Sequence, residues 1–412
     1  MVAKTDIIIT KMLNIFFIGQ KGIPATYGGV EHHVEQLSTR LAERGHQVWV
    51  YCRRWYTGQN LKTYHGVNLL YLPSLNHKNL DAATHTFLAS LDVLSRKTDI
   101  IHYQGIGPSA LLPIPKAGKP HTKIVATFHC KDYEHQKWGF FAQNFLKLGE
   151  RIAVTRPHGT IVVSKVLQEY VAKKYKKEVI YIPNGVPILK PQKPKMIADW
   201  GLDKENYLLT VARLVAHKGI HYLIKAFRQI RTSLKLVIVG GPADGGGAYE
   251  KRLKELAEGD ERVLFTGYQT GDTLAELFSN AYLFIHPSEA EGLPIAVLEA
   301  LSYARGVLAS DIPEHLEAIG GAGFFFRNKN VKDLKEKLEK LIHEPLVIKE
   351  AGRKGRERVR KEYDWDKIVT KTDEFYDKLF YHHPKDIKVH DFAVHTWDEV
   401  TDQTESLYHS LL

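Results

Sequence analysis

The chain has 412 residues, 44% hydrophobic and 25% charged, a globular composition too long for one ordinary core, so two domains are expected. Collagen-like, coiled-coil and low-complexity classes are excluded, and its two cysteines, Cys52 and Cys130, exclude a disulfide framework or a cysteine zinc site. The net charge of +10 is uneven: residues 1–190 hold 25 Lys and Arg against 12 Asp and Glu, and residues 191–412 hold 32 against 35. Few cysteines predict a reducing cytoplasm. The basic half predicts attraction to anionic lipid headgroups or a phosphorylated acceptor ahead of nucleic acid, for which no motif is present. Lys173-Lys174-Tyr175-Lys176-Lys177 is its densest cluster.

Met1 to Ile18 carries two apolar patches interrupted by Lys4, Asp6, Lys11 and Asn14, and reads as neither signal peptide nor membrane span. Leu13 to Ile18 predicts a short buried strand, Gly19 to Gly29 a Gly/Pro-rich loop, Val30 to Arg44 a helix closed by Gly45, and Gln47 to Cys52 the next strand. That order is a βαβ unit with a parallel sheet. Further strands are expected at Asp99 to Tyr103, Lys123 to Phe128, Gly159 to Val163 and Val179 to Ile182. Pro183-Asn-Gly-Val-Pro187 and Pro191-Gln-Lys-Pro194 then read as a linker. A second series follows at Tyr207 to Val211, Leu234 to Val239, Val263 to Thr266, Tyr282 to His286 and Gly306 to Ala309, with a last helix from Lys367 to Phe380. The fold class is therefore α/β with two doubly wound domains, and ligands of such sheets sit at the carboxyl ends of the strands.

Two stretches at those ends carry chemistry. Glu291-Gly-Leu-Pro-Ile-Ala-Val-Leu-Glu299 reads as a loop-to-helix corner, with Pro294 in the first helical turn and a buried helix from Ile295 to Tyr303. Its free N–H groups suit a diphosphate, and its carboxylates, about 10 Å apart at about 1.5 Å per helical residue, suit a sugar and a ribose. Arg213 and Lys218 follow the first strand of the second series, where a guanidinium fork and a compact ammonium could stabilise a leaving diphosphate.

Taken together, these stretches resemble the retaining nucleotide-sugar glycosyltransferases of family four, whose GT-B fold has two Rossmann-like domains facing an interdomain cleft. The resemblance runs from about Leu13 to Asp366. It is carried by the Gly28-Gly29 loop with Gly45-His46, Pro183-Asn184-Gly185-Val186, Arg213 and Lys218, Phe265-Thr-Gly267, and His286-Pro-Ser288 leading into the glutamates. Thr26-Tyr-Gly-Gly-Val-Glu31 and Asp132-Tyr-Glu-His-Gln-Lys137-Trp138-Gly139 look like a rhamnosyltransferase-like subgroup acting in polysaccharide assembly. The resemblance implies an acceptor-binding domain at 1–190, a nucleotide-sugar-binding domain at 191–366, and a segment 367–412 of a helix, with a return to the first domain left open, and a tail.

It also implies roles. Glu291 would hold the donor sugar, Glu299 the ribose, Gly292, Leu293, Pro294 and Ile295 the sugar and phosphate through main chain, and Arg213 with Lys218 the diphosphate. Gly28, Gly29, Gly267 and Tyr268 would also line the donor, and His129 would sit near the anomeric carbon. The implied catalytic set is His129, Arg213, Lys218 and Glu291. Tyr27, Asp132, Glu134, Lys137 and Trp138 are the acceptor candidates. No metal and no cofactor are expected beyond a dTDP-, UDP- or GDP-sugar donor. Expected partners are that donor, a saccharide or lipid-linked acceptor and an anionic membrane surface, but no nucleic acid. The expected place is the cytoplasm, peripheral to the inner face of the cell membrane. Ala212 departs from the family's usual Gly and puts one methyl near the expected phosphates. A catalytically idle nucleotide-sugar-binding module or partner subunit is the alternative. A dehydrogenase is disfavoured because Gly19-Gln-Lys-Gly22 lacks the G-x-G-x-x-G spacing.

Overall fold

The structure, a computed structural model, describes residues 12–381 apart from 59, 76–79, 135–138 and 243–246. Its chain forms two compact units, the first running to Pro183 and taking in the helix Trp365–Tyr381, the second covering Asn184–Asp364.

In the first unit β1 (Asn14–Ile18), β2 (Gln47–Arg53), β3 (Thr63–Tyr64), β4 (Val67–Leu72), β5 (Ile100–Gln104), β6 (Lys123–Phe128), β7 (Gly159–Val162) and β8 (Ile180–Tyr181) form one sheet. Its order is β3-β4-β2-β1-β5-β6-β7-β8, parallel except for the β3/β4 pair. Strand alternation sends Ile15 and Phe17 to one face and Phe16 and Ile18 to the other, and all four are buried, as a central parallel strand requires. The first face is covered by the helices Gly29–Glu43 and Trp365–Tyr381, the second by Asp81–Asp92 and by Ile152 of Phe140–Thr155.

The second unit is a six-stranded, wholly parallel sheet of order β11-β10-β9-β12-β13-β14. Its strands are β9 (Tyr207–Val211), β10 (Lys235–Val239), β11 (Val263–Gly267), β12 (Leu283–His286), β13 (Val307–Ser310) and β14 (Phe324–Phe326). Winding reverses between β1 and β5 in one sheet and between β9 and β12 in the other, which opens a crevice at the carboxyl end of each pair.

Several expectations shift. The division falls at Pro183/Asn184 rather than at 190, because the proline-rich segment is bonded into the second unit. Val186 N–H donates to the Tyr363 carbonyl, and the Glu276 carboxylate accepts from the N–H groups of Lys195, Met196 and Ile197. Helix Trp365–Tyr381 belongs to the first unit, since Trp365, Ile368, Val369, Phe375 and Tyr376 lie in its core. The short strands β3 and β14 and the apolar β4 had no counterpart in the sequence reading.

Candidate active site

In the second unit the loops after β9 and β12 are stitched together by main chain. Glu289 N–H and the Ser288 hydroxyl both donate to the His217 carbonyl, at 2.7 and 3.2 Å. Gly219 has φ +67°, and a Cβ there would lie 1.9 Å from the Pro287 carbonyl oxygen, so only glycine permits this approach. Lys218 is thereby carried onto Glu291, and its ammonium donates to Oε1 of that carboxylate.

Glu291 receives a second donor. His286, the last residue of β12, gives its Nε2–H to the same oxygen at 2.9 Å. Burial by itself would push the Glu291 pKa up, but the Lys218 ammonium and the His286 hydrogen bond outweigh it and hold it well below the usual carboxylate range. Burial lowers His286 and pushes His315 down to about 3, so both rings are neutral near pH 7. The Ser310 carbonyl, 2.9 Å from His315 Nδ1, can only accept, which puts the His315 hydrogen on Nδ1. Glu291 is therefore a fixed anion whose Oε1 is held by two donors, with no hydrogen bond to its other oxygen among the described residues. His315 was not singled out in the sequence, and no local pattern marks it.

His286, Glu291 and His315 offer one ligand atom each within 4.8 Å of one another. A divalent ion among them would lie against the Lys218 ammonium, and that repulsion makes the triad a poor cation site.

Glu299 lies inside the helix Ile295–Ser302. No hydrogen bond or ion pair to its carboxylate is made among the described residues, and burial pushes its pKa up to about 7. The rise in the Tyr268 pKa, due to burial and then to Glu299, places that ring in the same neighbourhood. Pro294 is the residue before the helix, with φ −79° and ψ 84°, rather than part of its first turn. Its carbonyl accepts from Val297 and Leu298, and no side chain caps the N-terminus, so the N–H groups of the Gly292–Ile295 corner keep their donor capacity. Arg213 is exposed, and no partner of its guanidinium is found among the described residues. The extra methyl of Ala212 packs against the hydrophobic core of the unit. Gly267 has φ +70° with open space on its Cβ side.

In the first unit the loop after β1 approaches the helix Gly29–Glu43. Gly28 has φ +105°, and a Cβ there would lie 2.0 Å from Glu31 Oε2. The positive φ requires glycine here, and the end of the flexible Glu31 side chain occupies the space beside it. Beside Gly29 the space is open. His129 follows β6 and is buried; Gln104 Oε1 accepts from its Nε2–H at 2.9 Å, and burial holds its pKa well below the usual histidine value. Gln104 is a partner the sequence reading missed, although it ends β5 beside the β6 end that carries His129. Tyr27 packs edge-on against Tyr56 with the Lys21 ammonium 4.2 Å from its ring centre, and Asp132 accepts from Cys130 Sγ. Lys137, Trp138 and the side chain of Glu134 lie outside the described residues.

Two family models divide the chain between them: the Glycosyltransferase Family 4 model matches residues 27–188 and the Glycosyl transferases group 1 model residues 192–361. The chain is a family four glycosyltransferase of the GT-B fold. An uncharacterized glycosyltransferase of Methanocaldococcus jannaschii is 24% identical over 358 residues, spanning 85% of this chain and 95% of that one. The N,N'-diacetylbacillosaminyl-diphospho-undecaprenol alpha-1,3-N-acetylgalactosaminyltransferase of Campylobacter jejuni is 29% identical over 181 residues, 43% of this chain and 46% of its own. Among solved structures, Anabaena HepE in complex with UDP and glucose superposes with a TM-score of 0.75 at 18% identity, covering 88% of this glycosyltransferase and 99% of HepE.

Proposed function

We propose that this glycosyltransferase moves a hexose or deoxyhexose from a nucleoside diphosphate sugar to a saccharide or lipid-linked acceptor, with retention at the anomeric carbon. The setting is cell-surface polysaccharide or glycolipid assembly on the cytoplasmic side. The reading is carried by the Lys218/Glu291/His286 node and the unpartnered Glu299 flanking one helix start. Glu291 takes hydroxyls of the sugar, the Gly292–Ile295 main chain and Arg213 take the phosphates, and Glu299 takes the ribose. Lys218 keeps N–H donors for a phosphate while holding Glu291. Tyr268 and Gly267 flank the ribose end. On the first unit the proposed contacts are His129 and Gly29 for a donor, and Tyr27, Asp132, Glu134, Lys137 and Trp138 for an acceptor.

The acceptor oxygen forms its bond to the anomeric carbon on the face from which the diphosphate departs. The breaking carbon–oxygen bond leaves its electron pair on the phosphate, and the acceptor's proton passes to that phosphate. Cationic donors then replace a metal as stabilisers of the leaving group. The paired glutamates are ligands here, unlike those of glycoside hydrolases. The Campylobacter relative's diphospho-undecaprenol acceptor supports a lipid-linked substrate.

The test is nucleoside diphosphate release from UDP-glucose, GDP-mannose and dTDP-rhamnose, with and without EDTA, followed by the anomeric configuration of the product. Release from one of them, insensitive to EDTA and with retention, is expected. Binding without turnover even with lipid-linked acceptors would mark an idle module, inversion would sink the mechanism, and a strict metal requirement would sink the cation assignment.

Glu299 adds a pH signature. Its pKa of about 7 in the folded chain exceeds the ordinary 4.5, so folding favours the protonated form and stability is lost as pH rises from about 4.5 to 7. Ribose hydroxyls donate to the carboxylate and favour the charged form, so nucleotide-sugar affinity is expected to rise between pH 6 and 8. In Glu299→Gln that rise should vanish, and the variant should gain stability over the parent at pH 8 but not at pH 5. Titration calorimetry with UDP-glucose, whose phosphates do not titrate there, reads the first effect and thermal melts the second. An unchanged pH slope in the variant removes Glu299 from the ribose.

A further inference from the structure

The helix Phe140–Thr155 of the first unit presents large apolar side chains to solvent. Phe140 is 74% exposed, Phe141 87%, Phe145 40% and Leu148 51%. Positions 141, 145 and 148 follow the i, i+4, i+7 spacing and form one outward stripe, while Leu146, Gly149, Glu150 and Ala153 face inward. Single exposed apolar residues are ordinary, but four within nine positions form a patch that calls for a partner. The helix Asp81–Asp92 packs on the same face of the sheet and also leaves Phe87 and Leu91 exposed, at 45% and 42%.

On the helix itself the exposed charge has one sign. Lys147 and Arg151 are exposed on the helix, and its one carboxylate, Glu150, is fully buried and neutralised by Lys174 at 2.7 Å. Glu150 also accepts from the Tyr170 and Tyr175 hydroxyls, which ties the helix Lys165–Tyr175 and the lysine cluster at its end to this element. The ammonium groups of Lys131, Lys147 and Lys174 gather over the Tyr133 and Tyr170 rings, at 4.9 to 5.9 Å from a ring centre. An apolar stripe with a cationic flank is the pattern of an interfacial helix, and among the described residues no helix is long and apolar enough to cross a membrane.

We propose that the outer face of the helix Phe140–Thr155 docks on an anionic bilayer, with Phe141, Phe145 and Leu148 entering the headgroup boundary and Lys131, Lys147 and Arg151 on the lipid phosphates. A second copy of the chain fits less well, because a two-fold contact would set each cationic flank against its own kind. The inference stands on the surface itself and does not require the proposed reaction.

The test is flotation of the full chain with vesicles of phosphatidylcholine, alone or mixed with phosphatidylglycerol. Binding to the mixed vesicles only, released by high salt, is expected. Phe141→Ser with Phe145→Ser, and separately Lys147→Glu with Arg151→Glu, should each weaken it at least about tenfold. Thermal melts and nucleoside diphosphate release in solution check that each variant is folded. No binding of the parent to mixed vesicles overturns the proposal, as does equal binding to both vesicle types or undiminished binding of folded variants. A dimer lost in the Phe variants, in a protein that ignores vesicles, assigns the patch to a second copy. Intact nucleotide release without vesicle binding removes the docking and leaves the proposed reaction standing.

Discussion

Replacing Arg213 by alanine is expected to slow glycosyl transfer about a hundredfold or more, at least about 2.7 kcal/mol of transition-state stabilisation, without lowering the melting temperature. The two halves of that expectation have separate physical origins. Arg213 is exposed and makes no ion pair among the described residues, so folding gains nothing from its guanidinium and its removal leaves no buried partner stranded. Charge on the diphosphate oxygens rises only as the bond to the sugar breaks, so a cation aimed there acts on the transition state more than on the bound donor. The loss should appear in kcat, with KM for the donor changed less. Arg213→Lys should recover only part, since an ammonium cannot bond two phosphate oxygens in the fork geometry. Steady-state kinetics beside a thermal melt decide the matter: a near-native rate for Arg213→Ala removes the residue from the leaving group.

The second large effect lies at Lys218. Lys218→Met is expected to destabilise the second unit by about 3–5 kcal/mol, because it strands the Glu291 carboxylate in a buried position, the side chains being 14% and 10% exposed in the pair. Glu291 has a lowered pKa in the folded chain, so its contribution is present above the unfolded pKa near 4.5 and is lost as pH falls through the folded value. The parent should therefore weaken in acid, whereas Lys218→Met should be destabilised most at neutral pH and recover toward the parent as Glu291 takes a proton. Lys218→Met combined with Glu291→Gln, which leaves no unpaired charge, should regain much of the stability and none of the transfer activity. Denaturant titrations of the three proteins at pH 5 and 8 measure this. A single variant as stable as the parent at both pH values would show that the ion pair holds nothing.

Both effects depend on residues the sequence offered, but in a different relation. Arg213 and Lys218 were expected side by side on the diphosphate, with Glu291 apart at the sugar. Lys218 also bonds Glu291, 73 positions away, because β9 and β12 are neighbours in the sheet and the loops that follow them share one crevice. The surroundings of Gly28 were hidden for a similar reason. Positive φ is legible as a glycine, but that the Glu31 carboxylate lies beside it depends on how the next helix turns back over the loop.

The sequence by itself determined the alternation of short apolar strands and amphipathic helices, hence two parallel sheets, and placed the candidate residues at strand ends. Those are local properties, written in periods of two and 3.6 and in glycine and proline punctuation. It also placed Glu291 before a buried helix and Glu299 within it. Only the tertiary structure decided the charge state of that site. The neutrality of His286 and His315, the fixed anion at Glu291 and the raised pKa of Glu299 follow from burial and from partners brought in by strand order. The edge strands β3 and β14 and the attachment of Trp365–Tyr381 to the first unit were settled the same way, because short segments and long-range packing carry no period of their own.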